Sequence, residues 1–235
     1  MSGLPLLAFA FVLSGDAQVA AGTGEGSRFR FDAWRCQSEV HSRWRSGDGR
    51  VVAEEELAFE GERWVRYRLQ RSTIAQDVVA TREGDTLRLV IRNGESRKQI
   101  TLATTQTVLA GPLLVDHLAE KLPRLRAGKS VEFDYLVPDH GMVLRLRATL
   151  EGGARTAESR VRVEAASLLM RAFVPNTKLV FDDSGVLRSM TGRLLPQLGD
   201  VTKPKSLDGV LRVRAVNVSG ETSSMQSTCN RPTLS

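Results

Sequence analysis

Three histidines, His41, His117 and His140, are the residues of this 235-residue chain best suited to proton transfer or metal ligation. Two of them directly follow an aspartate, giving Asp116-His117 and Asp139-His140. An Asp-His pair can orient an imidazole for base catalysis or for a metal. Sequence neighbours, however, point to opposite faces of a strand and do not face each other on a helix. No cysteine or glutamate stands at useful metal spacing beside them, and zinc needs three or four converging ligands. The chain also lacks a Gly-x-Ser-x-Gly elbow, a phosphate-binding glycine loop and a His-Glu-x-x-His helix. Ser184 and Ser189 flank a turn with no base beside them. The expectation is therefore a protein that is not an enzyme and carries no cofactor and no metal. A hydrolase using either Asp-His pair is the third-ranked reading.

Cys36 and Cys229 stand near opposite ends of the chain. An even pair in an oxidising compartment permits one disulfide, which would pin the carboxy-terminal tail to an early strand. By chain entropy, a loop that long contributes about 5 kcal/mol, less any strain. Trp34, Trp44 and Trp64 are read as core aromatics rather than binding groups. Asn217-Val218-Ser219 fits a glycosylation sequon, which matters only in a eukaryotic secretory route.

The compartment is read from the first 21 residues. Leu4 to Leu13 is an almost unbroken apolar run, followed by Val19-Ala20-Ala21. That order reads as a secretory signal peptide cleaved after Ala21. The run is about half the length of a membrane-crossing helix. The expected organisation is a signal peptide over 1–21, a single β-rich domain over 22–220 and a loose tail over 221–235, in a periplasmic or secreted protein.

Composition narrows the partners. The formal charge is +6, and Arg supplies 27 of the 33 basic residues. An exported protein rarely meets nucleic acid, so no nucleic-acid partner is expected. Anionic lipid head groups or other polyanions are the more natural counterparts. The oligomeric state is not legible.

The elements are mostly strands. Leu87, Leu89 and Ile91 alternate with Arg88, Val90 and Arg92, and Asn93-Gly94 follows as a hairpin turn. Gly47-Asp48-Gly49, Gly61-Glu62, Glu83-Gly84-Asp85 and Gly152-Gly153 punctuate other runs similarly. Val65, Tyr67 and Leu69 are expected on one face and Arg66 and Arg68 on the other. Met142, Leu144, Leu146, Ala148 and Leu150 oppose Arg145 and Arg147; Val161 and Val163 oppose Arg160 and Arg162; Leu211 and Val213 oppose Arg212 and Arg214. Such rows predict an antiparallel sheet with one apolar face and one Arg-lined face.

One segment follows a different period. Leu114, Leu118, Leu122 and Leu125 recur at helical spacing after Gly111-Pro112, with Val115 beside them. Asp116 supports the amino-terminal end, Pro123 is expected to end the helix early, and Gly128 stops it. Strands resume with Val131, Phe133, Tyr135 and Val137 on one face. Asp139-His140-Gly141 reads as a turn, and Asp182-Asp183-Ser184-Gly185 as the turn of a late hairpin. The segment 167–176 reads equally as strand or helix. Residues 194–206, with two prolines, read as a loop before a last strand over 207–218.

The stretches "GRVVAEEELAFEGERWVRYRL", "AGPLLVDHLAEKLPRLRAGKSVEFDYLVP" and "LVFDDSGVLRSMTGRLLP" resemble, in their order, the uncharacterised exported bacterial β proteins of DUF3108 type, over about residues 28–196. That resemblance implies hairpins leading to a Gly-Pro helix and then further strands. It also implies a curved antiparallel sheet akin to the open barrels of lipoprotein carriers. It carries over no functional residues.

The fold class expected is mainly β: a large curved antiparallel sheet or half-open barrel, with one short α-helix packed over its concave face. The leading functional expectation is non-catalytic binding or carriage of a lipophilic ligand or envelope lipid. Tyr67, Leu89, Ile91, Phe133, Tyr135, Leu144 and Leu146 would line the cavity, and the Arg rows would face an anionic membrane surface. The alternative is a structural or interaction protein of the envelope that docks a partner or polyanion through its Arg-rich face.

Overall fold

The computed structural model describes residues 12–20, 27–36, 38–104, 107–152, 158–171, 174–200 and 202–215. Fourteen strands form one antiparallel sheet: β1 (Val12–Val19), β2 (Arg28–Cys36), β3 (Glu39–Ser46), β4 (Val51–Glu60), β5 (Arg63–Arg71), β6 (Gln76–Glu83), β7 (Thr86–Asn93), β8 (Ser96–Ala103), β9 (Val131–Val137), β10 (Met142–Glu151), β11 (Ser159–Ala165), β12 (Thr177–Phe181), β13 (Leu187–Asp200) and β14 (Lys203–Ala215). Helix α1 (Leu113–Arg126) lies between β8 and β9, and a short α2 (Leu168–Arg171) between β11 and β12.

The spatial order is β8-β7-β6-β5-β4-β3-β2-β1-β14-β13-β12-β11-β10-β9. Every chain neighbour is a sheet neighbour except β8 and β9, which form the two edges, and β1 and β14 meet in mid-sheet. A twisted sheet of this many strands must curl, split or close. Here it curls, and the β8–β9 connection fills the opening.

The filling is specific. Leu109 makes a parallel bridge with Tyr135 on the β9 edge, through bonds from Leu109 N–H to Asp134 O and from Leu136 N–H to Leu109 O, both 2.8 Å. This covers backbone groups that an open edge would expose. On the other side, Trp64 Nε1–H of β5 donates to Val108 O at 2.6 Å. At the β9–β10 turn, Gly141 (φ +59°) approaches so closely that an added Cβ would lie 2.2 Å from Ile100 Cδ1 of β8. The two edges thus meet through a turn and a strap.

Helix α1 follows the sequence pattern. Leu118, Leu122 and Leu125 are buried, each stabilising the fold by about 1.5–3 kcal/mol relative to exposure. A 14-residue helix is marginal alone, so this stripe must be covered, and the β9–β14 half of the sheet covers it. Pro123 does not end the helix. It sits inside, and the helix runs to Arg126, where Gly128 at φ +77° turns the chain away.

Two cores result. One joins α1 to β1–β4 and β9–β14; the other lies between β3–β7 and the 108–110 strap, with Leu136 of β9 included. The Arg rows point outward: Arg66, Arg88, Arg145, Arg160 and Arg212 are exposed. This is the reverse of a transmembrane barrel, whose outer band is apolar. Many outward arginines meet carboxylates one strand away, including Arg147–Glu132 (2.7 Å), Arg145–Asp134 (3.0 Å) and Arg68–Asp77 (3.0 Å).

Several sequence expectations are corrected. Residues 12–19, assigned to the signal peptide, form β1. Leu13, Ala17 and Val19 are buried, and Ser14 Oγ–H donates to the buried Asp32 of β2 at 2.8 Å. Residues 1–11, Ala21 and the tail 221–235 lie outside the described residues. Residues 194–206 are not a loop: β13 and β14 form a long hairpin, with Pro196 inside the irregularity between Arg193 and Gln197. Proline is tolerated where pairing is already broken. In β5, an irregularity opposite Ala58/Phe59 leaves Val65 unmatched, so Trp64 joins Tyr67 and Leu69 on the buried side. The segment 167–176 supplies α2 rather than a strand.

Candidate functional site

The curled sheet and α1 enclose a cavity of about 590 Å³, within the range usual for small-molecule sites. Its walls are largely apolar. Phe31 and Trp44 come from β2 and β3, Leu114 and Val115 from α1, Leu144 and Leu146 from β10, and Leu211 from β14. Phe31 and Trp44 pack with ring centroids 4.9 Å apart.

Into this surface project a few polar groups, all placed by strand alternation. Glu55 shares the inward face of β4 with Ala53 and Leu57. Its Oε2 accepts from Ser42 Oγ–H and its Oε1 from Tyr67 Oη–H, both at 2.8 Å. Burial nevertheless raises its carboxyl above the ordinary value of 4.5, the two hydrogen bonds and the Arg71 charge offsetting only part of that effect. The same burial, and then the nearby Glu55 charge, push the Tyr67 phenol well up. Tyr135, whose hydroxyl lies 3.4 Å from Gly111 O, is raised likewise.

Arg71 shares the inward face of β5 with Tyr67 and Leu69 and is buried. Its guanidinium pairs with Asp139 in the β9–β10 turn, donates to Gln76 Oε1, and donates through Nε to Leu195 O at 2.8 Å. Gln197 Nε2–H reaches Asp139 at 3.4 Å, and Thr73 Oγ1–H donates to Gln197 O at 2.6 Å. One buried cation thereby ties β5 and the β9–β10 turn to the irregular stretch of β13, closing one end of the cavity. Asp116, on the first turn of α1, also lines the space. It is accessible from the cavity yet surrounded by protein, so its carboxyl is raised by burial, offset by Arg35.

The sequence-predicted lining residues divide in two. Tyr67, Tyr135, Leu144 and Leu146 line the cavity. Leu89 and Ile91 are packed in the second core instead, and Phe133 in the first, its ring edge against His117 at 5.2 Å. The Asp-His pairs do not act as units. Asp139 pairs with Arg71 while His140 is exposed; Asp116 faces the cavity while His117 lies against Phe133. His41 is on the outward face, bonded to Glu39 and stacked on Trp34 at 5.1 Å. Among the described residues, no group of three or more His, Cys, Asp or Glu is placed to hold a metal. Cys36 is buried at the end of β2, and its expected partner Cys229 lies outside the described residues. So does the 217–219 sequon.

Sequence reasoning missed Glu55 and Arg71. The signal was present: each falls at an inward position of a strand whose alternation was otherwise read or readable. A carboxylate or guanidinium in an apolar row rarely faces a core unless it is paired.

No family model matches the chain, and no curated protein does. Among solved structures, the chain is similar to the crystal structure of a beta-barrel-like protein of the domain of unknown function DUF1849 from Brucella abortus. The TM-score is 0.52 at 11% identity, covering 88% of this chain and 98% of that one. The likeness is one of fold: a mainly β, barrel-like architecture.

Proposed function

We propose that this protein is a non-catalytic, exported carrier or sensor that binds a lipophilic molecule in its central cavity. The observation that carries the reading is the cavity itself, a space of about 590 Å³ walled by apolar side chains and roofed by α1. A sheet built only for stability would fill that space, because interiors pack to crystal-like density. Among the polar lining groups, Ser42, Glu55, Tyr67, Arg71 and Asp139 form one connected cluster, which suits a ligand with an apolar body and a polar head. The DUF3108 likeness and export to the periplasm or beyond belong to the same proposal. The alternative, docking of a polyanion on the Arg-rich face, draws less support, because many of those arginines already meet carboxylates on neighbouring strands.

The test is displacement of a fluorescent fatty acid from the wild type and from Leu114→Trp. Leu114 is half-buried on α1 and faces the cavity, so a larger ring fills space without breaking the core. The affinity should fall on the order of tenfold or more, with the melting temperature little changed. Equal affinities would place the ligand elsewhere.

A further inference from the structure

Leu168 and Leu169 are 76% and 82% exposed, far beyond any other large apolar side chain among the described residues; Val51 and Met142 follow at 37%. They are the first two residues of α2, which is fixed against the cavity wall. Arg171 Nη2 pairs with Glu164 at 2.9 Å and Arg171 Nε donates to Ala165 O at 3.0 Å. Val174 N–H donates to Met170 O at 2.9 Å. Glu164, Val174 and Pro175 all line the cavity. The two leucines therefore sit on a tethered knuckle whose base is the wall of the ligand space.

We propose that Leu168 and Leu169 insert into a lipid bilayer and set the cavity wall formed by Glu164, Val174 and Pro175 against it, so that an apolar ligand passes between membrane and protein without crossing water. This rests on the carrier reading and adds where loading occurs. The size of the patch selects the occupant. A stable protein–protein interface buries about 800 Å² per partner, far more than two leucine side chains present. Membrane insertion scales with the apolar area buried, so two leucines give a shallow, reversible contact of the kind transient loading needs. Continuity with the cavity supplies the reason for the exposure.

The experiment compares the full chain with Leu168→Ser/Leu169→Ser. Both positions are exposed, so the melting temperature should be unchanged, and circular dichroism checks that. Sedimentation with phosphatidylcholine vesicles at high salt removes the contribution of the Arg rows, which neutral lipid and screening suppress. The wild type should associate and the variant should lose on the order of tenfold or more in partitioning. Both should bind cis-parinaric acid equally in vesicle-free solution. Equal vesicle association of the two, or none by the wild type, overturns the proposal. A wild-type dimer that the substitutions dissociate also overturns it, in favour of a second copy of this chain. A wild type that associates through the leucines but binds no parinaric acid in solution keeps the membrane contact and removes the carrier reading.

Discussion

Glu55 is the residue whose ionisation most directly touches the cavity. Its folded pKa lies above the ordinary 4.5. Its favourable contribution is therefore fully present below that unfolded value and is lost as pH rises through the folded one. Glu55→Gln keeps the shape of the protonated acid and cannot ionise. The variant should match the wild type below the ordinary value of 4.5 and become the more stable of the two as pH rises above it, read from melting temperatures at increasing pH. A constant difference at all pH values would mean that Glu55 does not titrate in this range. Arg71 sets the opposite case. Asp139→Asn would leave a buried guanidinium without its counter-charge, which costs about 3–5 kcal/mol; urea denaturation measures it. Replacing both Arg71 and Asp139 with apolar residues should recover much of that loss. Both residues were legible by period alone: Arg71 follows Tyr67 and Leu69 in steps of two, as Glu55 follows Ala53. Their partners were not, because Arg71 and Asp139 meet only when distant segments fold together.

At the scale of elements, β1 is where sequence and structure part most clearly. The apolar run before Leu13 dominates the first 21 residues and reads as a leader. From Leu13 onward, however, the chain alternates, with Leu13, Gly15, Ala17 and Val19 inward and Ser14, Asp16 and Gln18 less buried or exposed. That shorter period was overshadowed by the longer apolar run. The strand is paired over its length with both β2 and β14. Gly209 of β14 approaches so closely that an added Cβ would lie 2.4 Å from Gln18 O of β1, and one on Gly15 would lie 2.4 Å from Arg212 O. A chain starting at Gly22 should melt well below the full chain, since it leaves two strands half-paired. Gly209→Ala should lower the melting temperature of the full chain more than that of the truncated one, where only the flexible end of Leu194, 2.8 Å from an added Cβ, still has to give way. An effect of equal size in both would show that β1 does not occupy this place in solution. The hairpins and α1 were legible because turn glycines and the leucine spacing are local signals. The β5 and β13 irregularities were not, since one unmatched residue leaves no mark in composition.

For the whole molecule, one-sided rows of apolar residues and arginines sufficed to anticipate a large curved sheet with a helix on its concave side. They did not reveal how the sheet shuts. The 107–112 strap joins the β9 edge by backbone hydrogen bonds and takes one from Trp64, while the β9–β10 turn packs on Ile100; which groups meet depends on the path of the chain rather than on residue type. The same limit explains the lining residues. Tyr67, Tyr135, Leu144 and Leu146 reach the cavity, while Leu89, Ile91 and Phe133 share their inward character but fall where the strap or α1 fills the space. Alternation identifies the inward face; it does not say which part of that face stays open. The central claim is that this open part holds a lipophilic guest. Native mass spectrometry of the gently purified full chain tests it most directly. One apolar molecule should be bound per chain, and Leu114→Trp should deplete it. A bare chain that also takes up no added fatty acid would contradict it.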